Sequence, residues 1–494
     1  SEDEQCRLFE LLLKYEDCFA ENTKDLGVTN LSEMKIDLTT TTPVFHKPYR
    51  LAAKELAIVR EKVQDLLDAG IVKESQSNYA SPVILVKKKN GDSRLCVDYR
   101  ALNAITIKDR FPLPHIDDQL NKLAGKCLYT SLDLAQGYHQ IPLSTESTKL
   151  TSFITPDGQW EYTRVPFGLA NAPAVFQRTI YKLLGALRYE EVLTFMDDLL
   201  LPSTNVENGL IILEKVLQLF QKSGLKLNLS KCAFLKSEID YLGHVVTSEG
   251  VRPGDRKLDA VNNFPVPTNV HQIRQFIGLC SYFRKFVQNF ALIARPLTEL
   301  TKKNAKWDWG DEQQDAFSKL KSILVSKPVL ALYNRDYETE IHTDACKSGI
   351  AGILLQKQPN GDLKPVIYFS RVTTKEEMVY HSYELETLAV VESLKRFKIY
   401  VTGVHVKVVT DCSAVRSTFT KKDLVPRIAR WWLQIQDYDI EVVYRPGTNM
   451  KHVDALSRNP VREILNIDNV DDWFLAAQMQ DEKLLLVYNE LKSG

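Results

Sequence analysis

The sequence predicts a multidomain protein of mixed α/β and α+β class, and three observations predict it. Its 494 residues exceed what one hydrophobic core organises, and the length corresponds to about three domains. Strand-like and helix-like runs intermix in the first half and again in the last third, with a helical stretch between them. The composition, 44 % hydrophobic and 26 % charged, is that of ordinary globular domains.

Residues 1–50 read as a short helix followed by a polar, Pro-containing lead-in from Thr39 to Pro48. Leu56, Val59, Val63, Leu66 and Leu67 recur at helical spacing, and Gly70 stops that helix. Ser81 to Val86 reads as a strand, Asn90-Gly91 as a hairpin turn and Ser93 to Tyr99 as the return strand. Lys87, Lys88 and Lys89 then lie beside a hairpin tip. Cys127 to Leu134 is another strand, with Asp133 near its end. Asn171 and Pro173 suit a helix start, and Phe176, Ile180, Leu183, Leu184 and Leu187 continue its apolar stripe. Leu210, Leu213, Leu217 and Phe220 mark a helix ended by Gly224, and Ile239 to Val246 begins a further hairpin.

Pro253, Pro265 and Pro267 change the character of the chain, and Thr268 to about Leu330 is helical in pattern. Pro328 to Arg335 reads as a linker. Strands are predicted over 338–344, 349–356, 364–370, 404–410 and 439–445, with a helix near 382–400. The domains that follow are 1–250, 251–335 and 336–460, with 461–494 a tail or a connector toward a further domain.

Formal net charge is zero, which excludes nucleic-acid binding by bulk charge but leaves room for local basic tracks. Lys87-Lys88-Lys89 with Arg94 and Arg100 is one such track, and Lys302-Lys303 with Lys306 is another. The eight cysteines are scattered and form no C-x-x-C pair, which fits a reducing compartment and speaks against structural zinc. No apolar run reaches the roughly 20 residues that span a bilayer, so no membrane partner is expected. The chain opens on acidic residues without an initiator Met, and it therefore reads as a processed fragment.

The stretch carrying the most chemistry is Val192 to Leu201, in which Met196-Asp197-Asp198 sits between two apolar runs. Adjacent carboxylates at a hairpin tip repel each other, and a hard divalent cation with oxygen ligands removes that repulsion. Bridging two ions takes acids from more than one chain segment, and Asp133 is the partner for Asp197, with Asp198 supporting. A second acidic set lies late in the chain: Asp344 and Asp411 near strand ends, Glu386 on a helix and Asp454 at a late helix start. Together these form a plausible two-metal cage. Glu384 neighbours Glu386 and the sequence alone leaves both open, with the E-x-x-A spacing to Ala389 favouring Glu386.

Asp133 within L-D-L-A-Q-G-Y-H-Q-I, Val165 to Pro173, Phe195-Met196-Asp197-Asp198, and the run from Ala80 to Asn103 resemble the reverse transcriptase motifs of gypsy-type long-terminal-repeat retrotransposons. The resemblance runs in unbroken order over roughly residues 35–460 and extends to the ribonuclease H domain fused behind such enzymes. It implies a right-hand polymerase of fingers, palm and thumb followed by a ribonuclease H-like domain. It implies that Asp133, Asp197 and Asp198 hold two Mg²⁺ ions for nucleotidyl transfer, and that Asp344, Glu386, Asp411 and Asp454 hold two more for RNA cleavage, with Mn²⁺ able to substitute. By motif position, Lys88 and Arg94 contact the incoming triphosphate, and Tyr138 is the aromatic gate against a 2′-hydroxyl. Phe167 and Met196 line the nucleotide site, and Leu242, Gly243 and His244 form a primer grip. The implied partners are an RNA template, a DNA or tRNA primer, dNTPs and RNA–DNA hybrid, with a homodimer forming on hybrid. The implied location is the cytoplasm, inside virus-like particles, and later the nucleus. Phe195 stands where the family most often has Tyr, a change expected to leave activity intact. Two rivals are a non-enzymatic host protein derived from such an element and a polymerase confined to DNA templates.

Overall fold

A computed structural model describes residues 2–87, 93–288, 290–303, 305–418 and 424–445. The chain divides into two compact units between Ile239 and Asp240, so the hairpin after Tyr241 belongs with the second unit and not with residues 1–250.

The first unit holds strands β1 (Val72–Glu74), β2 (Ser81–Lys87), β3 (Ser93–Val97), β4 (Leu128–Asp133), β5 (Phe153–Thr155), β6 (Gly158–Tyr162), β7 (Leu193–Phe195), β8 (Asp198–Ser203) and β9 (Ala233–Lys236). They form two sheets, in the orders β1-β6-β5-β2-β3 and β7-β8-β4-β9. In the second sheet Leu132, Leu199 and Leu201 are buried, and helices Ala172–Leu184 and Val206–Ser223 add Phe176, Ile180, Leu213 and Phe220 to the same core. Asn205 caps the second helix by accepting the Asn208 N–H at 2.8 Å. Gly224 ends it in the left-handed conformation at φ 71°.

The first of these helices starts where predicted, with Asn171 at its N-cap position and Pro173 in its first turn. The Asn171 side chain donates to the Ile107 carbonyl (2.7 Å) and accepts the Asp109 N–H (3.1 Å), tying down a neighbouring segment. One expectation changes here. Gly185, at φ 52°, ends that helix after Leu184, so Leu187 starts a separate turn, Leu187–Glu190.

Strands β10 (Glu238–Tyr241), β11 (His244–Thr247) and β12 (Gly250–Pro253) form a three-stranded sheet at the start of the second unit. Helix Asp255–Asn262 follows, ahead of the predicted helical stretch, and Val270–Ser281 and Asp311–Val325 lie within that stretch. The stretch read as a linker is pinned, because Leu330 and Val251 exchange two backbone hydrogen bonds of 2.9 Å. Strands β13 (Thr339–Cys346), β14 (Gly349–Lys357), β15 (Leu363–Val372), β16 (Val406–Thr410) and β17 (Ile440–Tyr444) build a sheet ordered β15-β14-β13-β16-β17. The β13–β14 and β14–β15 pairs are antiparallel, whereas β16 runs parallel to both β13 and β17. Helix Ser382–Arg396 makes the crossover and packs Val390, Val391 and Leu394 against Ile341, Leu354 and Val408. Among the described residues no helix is long and apolar enough to cross a membrane.

Gly27 lies so close to the turn after Val206–Ser223 that a Cβ there would sit 1.8 Å from the Gly224 carbonyl oxygen. Gly70, at φ 64°, has open space around it. Gly27→Ala is expected to destabilise the first unit by roughly 3 kcal/mol through forced backbone movement, and Gly70→Ala by about 1 kcal/mol through its dihedral alone. Thermal melts of the two variants check this; equal shifts would refute the close approach.

Candidate active sites

The first acidic centre is built by strand register. Phe195 pairs with Asp198 across β7 and β8, leaving Met196-Asp197 as a two-residue hairpin turn. Asp133 pairs with Asp198 across β4 and β8. Met196 occupies the left-handed region at φ 52°, a placement that costs an L residue about 1 kcal/mol. Buried Gln177 holds it there: its Oε1 accepts the Met196 N–H at 2.8 Å and its Nε2 donates to Thr194 Oγ1 at 3.0 Å. Phe195 is buried at the root of the turn.

Burial and crowding raise the pKa values of these carboxyls. Burial first, then Asp198, then Asp133 push the Asp197 carboxyl from its ordinary 3.8 up to about 6. Asp198 is raised by desolvation and by Asp133. One Asp197 oxygen, Oδ1, is buried with no hydrogen-bond partner. A hard cation satisfies such an oxygen and relieves the repulsion together. Lys231, which sequence reasoning missed, supplies one positive charge, with its Nζ 3.2 Å from Asp133 Oδ1. Its signal was local, since it follows Asn228-Leu229-Ser230 on a turn facing the end of β4, but nothing in that pattern names its partner.

Beside this hairpin the structure gathers three of the predicted nucleotide contacts. The Tyr138 ring meets Phe167 edge-on at 5.0 Å and Phe176 at 5.3 Å, and the Asp197 charge raises its phenol pKa beyond what burial does. Phe167 is 39 % exposed, so its ring offers an open face, and the Arg94 guanidinium lies 5.7 Å from its centre. Arg100 leaves the basic track, because it makes bonds of 2.9 and 2.6 Å to Asp98. Lys88 lies outside the described residues.

The second acidic centre draws on three elements. Asp344 sits within β13, two residues before the strand ends, and is buried. Asp411 follows β16, the parallel neighbour of β13. Glu386 projects from helix Ser382–Arg396 and is 7 % exposed. Ligand oxygens of all three lie within 4.8 Å of one another, a spacing that fits a divalent cation. The Ala345 N–H donates to Asp344 Oδ1 (2.9 Å) and to Glu386 Oε1 (3.2 Å), tying helix to strand. Glu384 is engaged elsewhere: it accepts from Arg427 at 2.7 Å and from the His381 N–H at 3.1 Å. Asp454 lies outside the described residues. Among the described residues this is the only set of three such groups at that spacing; Asp133, Asp197 and Asp198 are looser.

Leu242 and Gly243 form the turn between β10 and β11, at φ 49° and 74°. The His244 ring is 2 % exposed and packs among Tyr282, Phe283 and Phe286 with centroids 5.4–5.7 Å away. A side chain so enclosed supports the turn from within.

Residues 86–246 match the family described as reverse transcriptase (RNA-dependent DNA polymerase), and residues 309–408 match the RNase H-like domain found in reverse transcriptase. The chain is 37 % identical over 470 residues to the retrovirus-related Pol polyprotein from transposon 297 of Drosophila melanogaster, covering 94 % of this chain and 44 % of that protein. It is 36 % identical to the corresponding polyprotein from transposon 412 of the same organism, covering 92 % of this chain and 37 % of that protein. The Tf2-3 transposon polyprotein of Schizosaccharomyces pombe is 31 % identical, over 96 % of this chain and 38 % of its own length. The chain thus spans less than half the length of these curated relatives. Among solved structures, the foamy viral protease-reverse transcriptase in complex with dsDNA superposes with a TM-score of 0.81 at 24 % identity, over 90 % of this chain and 94 % of that one. The same enzyme in complex with RNA/DNA hybrid gives 0.73, over 95 % and 63 %. These likenesses establish a shared fold, the right-hand polymerase followed by an RNase H-like domain.

The raised Asp197 carboxyl sets a pH dependence in metal-free protein. Its contribution to stability is fully present below about pH 3.8, where folded and unfolded chains are both protonated, and is lost as pH rises through about 6. Asp197→Asn should therefore raise the melting temperature in EDTA at pH 7.5, by the equivalent of ~2 kcal/mol, and by much less at pH 4. An equal effect at both pH values would overturn the assignment.

Proposed function

Since this chain belongs to the reverse transcriptase and ribonuclease H family of retrotransposon Pol polyproteins, we propose that it copies RNA into DNA and cleaves the RNA strand of the resulting hybrid. The observation that carries this reading is the pair of separate acidic centres, one on a hairpin beside an aromatic–arginine pocket and one caged between two parallel strands and a helix.

In the first centre, Arg94 holds the triphosphate of an incoming dNTP through its forked donors. Phe167 and Tyr138 form the floor under base and sugar, where the Tyr138 ring excludes a 2′-hydroxyl. Asp133, Asp197 and Asp198 would hold Mg²⁺, with Mn²⁺ able to substitute. The metal would supply positive charge there for a primer 3′-hydroxyl and a leaving pyrophosphate. Lys231 lowers the negative charge that Asp133 presents. Gln177 keeps the turn in the one conformation that places Asp197 and Asp198 together, which is positioning catalysis. In the second centre, Asp344, Glu386 and Asp411, with Asp454 as the fourth ligand, would hold the ions that activate water against an RNA phosphodiester, and the 2′-hydroxyl marks the strand to cut.

The names of the foamy viral complexes, with dsDNA and with RNA/DNA hybrid, support duplex nucleic acid as the substrate. A DNA or tRNA primer, dimerisation on hybrid and residence in virus-like particles belong to the same reading.

Primer extension on an RNA template with Mg²⁺ tests the first activity. Asp197→Asn should reduce incorporation by on the order of 10³-fold, and equal incorporation by both proteins would remove the assignment. Asp344→Asn should abolish hybrid cleavage while extension persists. Loss of both activities in either variant would point to misfolding in place of two centres. EDTA should stop both reactions in the wild type, and excess Mg²⁺ should restore them.

A further inference from the structure

The helical module carries an aromatic and basic run, Tyr282-Phe283-Arg284-Lys285-Phe286, that neither acidic centre uses. Tyr282 follows helix Val270–Ser281, and Arg284–Phe286 makes a short helical turn behind it. Phe283 and Phe286 are buried, and with Tyr282 they surround the His244 ring. Lys257, on helix Asp255–Asn262, places its Nζ 3.6 Å from the centre of the Tyr282 ring, a cation–π contact that fixes the ring's tilt.

This cluster has a polar point, and it is aimed at the Leu242-Gly243 turn. Tyr282 Oη donates to the Leu242 carbonyl at 2.8 Å. His244 Nδ1 lies 3.1 Å from the same oxygen; a carbonyl only accepts, so Nδ1 carries the proton. One residue on, the Gly243 carbonyl accepts the Gly254 N–H at 2.9 Å. A Cβ on Gly254 would lie 2.7 Å from that oxygen, and one on Gly243 would lie 2.9 Å from Lys257 Cε, so the approach is close on both sides. Two consecutive left-handed residues make a tight hairpin turn for which Leu is a poor first residue. The turn is held from outside, by the helical module, at both of its carbonyls.

We infer that Tyr282 is a positioning residue for polymerisation: its hydroxyl latches the Leu242-Gly243 turn, to which the family resemblance assigns the primer grip, to the helical module. The inference rests on the polymerase reading and deepens it, because it makes the primer end's alignment depend on a residue that touches neither nucleotide nor metal. Tyr282→Phe keeps the ring, its stacking and the lysine contact, and removes one hydrogen bond.

The test has two readouts. Amide hydrogen exchange over residues 240–246 in full-length Tyr282→Phe should be faster than in wild type, whether or not the protein is a polymerase. In single-turnover primer extension, Tyr282→Phe should lower the maximal rate of nucleotide addition about fivefold, the worth of one hydrogen bond, at unchanged half-saturating dNTP and unchanged melting temperature. Tyr282→Leu, which also loses the ring, should do worse in both. Unchanged exchange would overturn the latch. Faster exchange with a wild-type addition rate, or a loss seen only in dNTP affinity, would overturn the positioning role. Wild-type extension that survives Asp197→Asn would sink the polymerase reading itself and leave the exchange result standing.

Discussion

Carboxylates set opposite each other on neighbouring strands repel, and antiparallel register fixes that opposition at Asp133 and Asp198. A slip of one residue in β4 or β8 would send Asp133 to the other face and expose Leu132 and Leu199, both fully buried. The apolar face of the sheet therefore specifies where the acids stand. Hydrophobic burial, worth about 25 cal/mol per Å², holds together charges that electrostatics alone would separate. Burial first and then this opposition raise the Asp197 and Asp198 carboxyls, and the unpartnered Asp197 oxygen marks where a cation would relieve the strain.

Much of this could be read from the amino-acid order. Strands, helices and the Met196-Asp197-Asp198 hairpin follow from periodicity and turn chemistry, which are local. The supporting contacts are not local, and they were missed for that reason. Gln177 clamps a turn nineteen positions later in the chain, and Lys231 reaches Asp133 across ninety-eight. A buried Gln on an otherwise apolar helix face was the one visible hint. Asn171 and Pro173 marked the helix start correctly, but nothing local showed that the Asn171 side chain bonds to Ile107 and Asp109. Nor does local pattern show that His244 is buried, since that depends on the packing of Tyr282, Phe283 and Phe286.

The choice between Glu384 and Glu386 illustrates what geometry adds to spacing. Two residues advance a helix by about 200°, so these carboxylates leave opposite sides of Ser382–Arg396. Glu384 lies in the first turn, where the positive end of the helix dipole favours an acid and the His381 N–H needs an acceptor. Arg427 neutralises it from outside while stacking on Tyr380 at 4.0 Å. Glu386 faces β13 and shares the Ala345 N–H with Asp344. One glutamate starts the helix and the other serves the cage.

The two acidic centres also differ in how much of the work is done before a ligand arrives. Asp344, Glu386 and Asp411 converge within 4.8 Å from three elements locked by parallel pairing and helix packing, so their cage is preformed. Asp133, Asp197 and Asp198 come from one hairpin and its neighbour, and Asp133 is already engaged with Lys231. Closing that looser set around a cation requires Asp133 to exchange an exposed lysine for the ion. An exposed pair of this kind contributes little, about 1 kcal/mol or less, so the exchange is easy. Under the proposed function, a polymerase centre that must release its ligands at each step benefits from a set that can let go, and a nuclease cage has no such need. The rigidity of the cage follows from being placed between packed elements instead of at a hairpin tip.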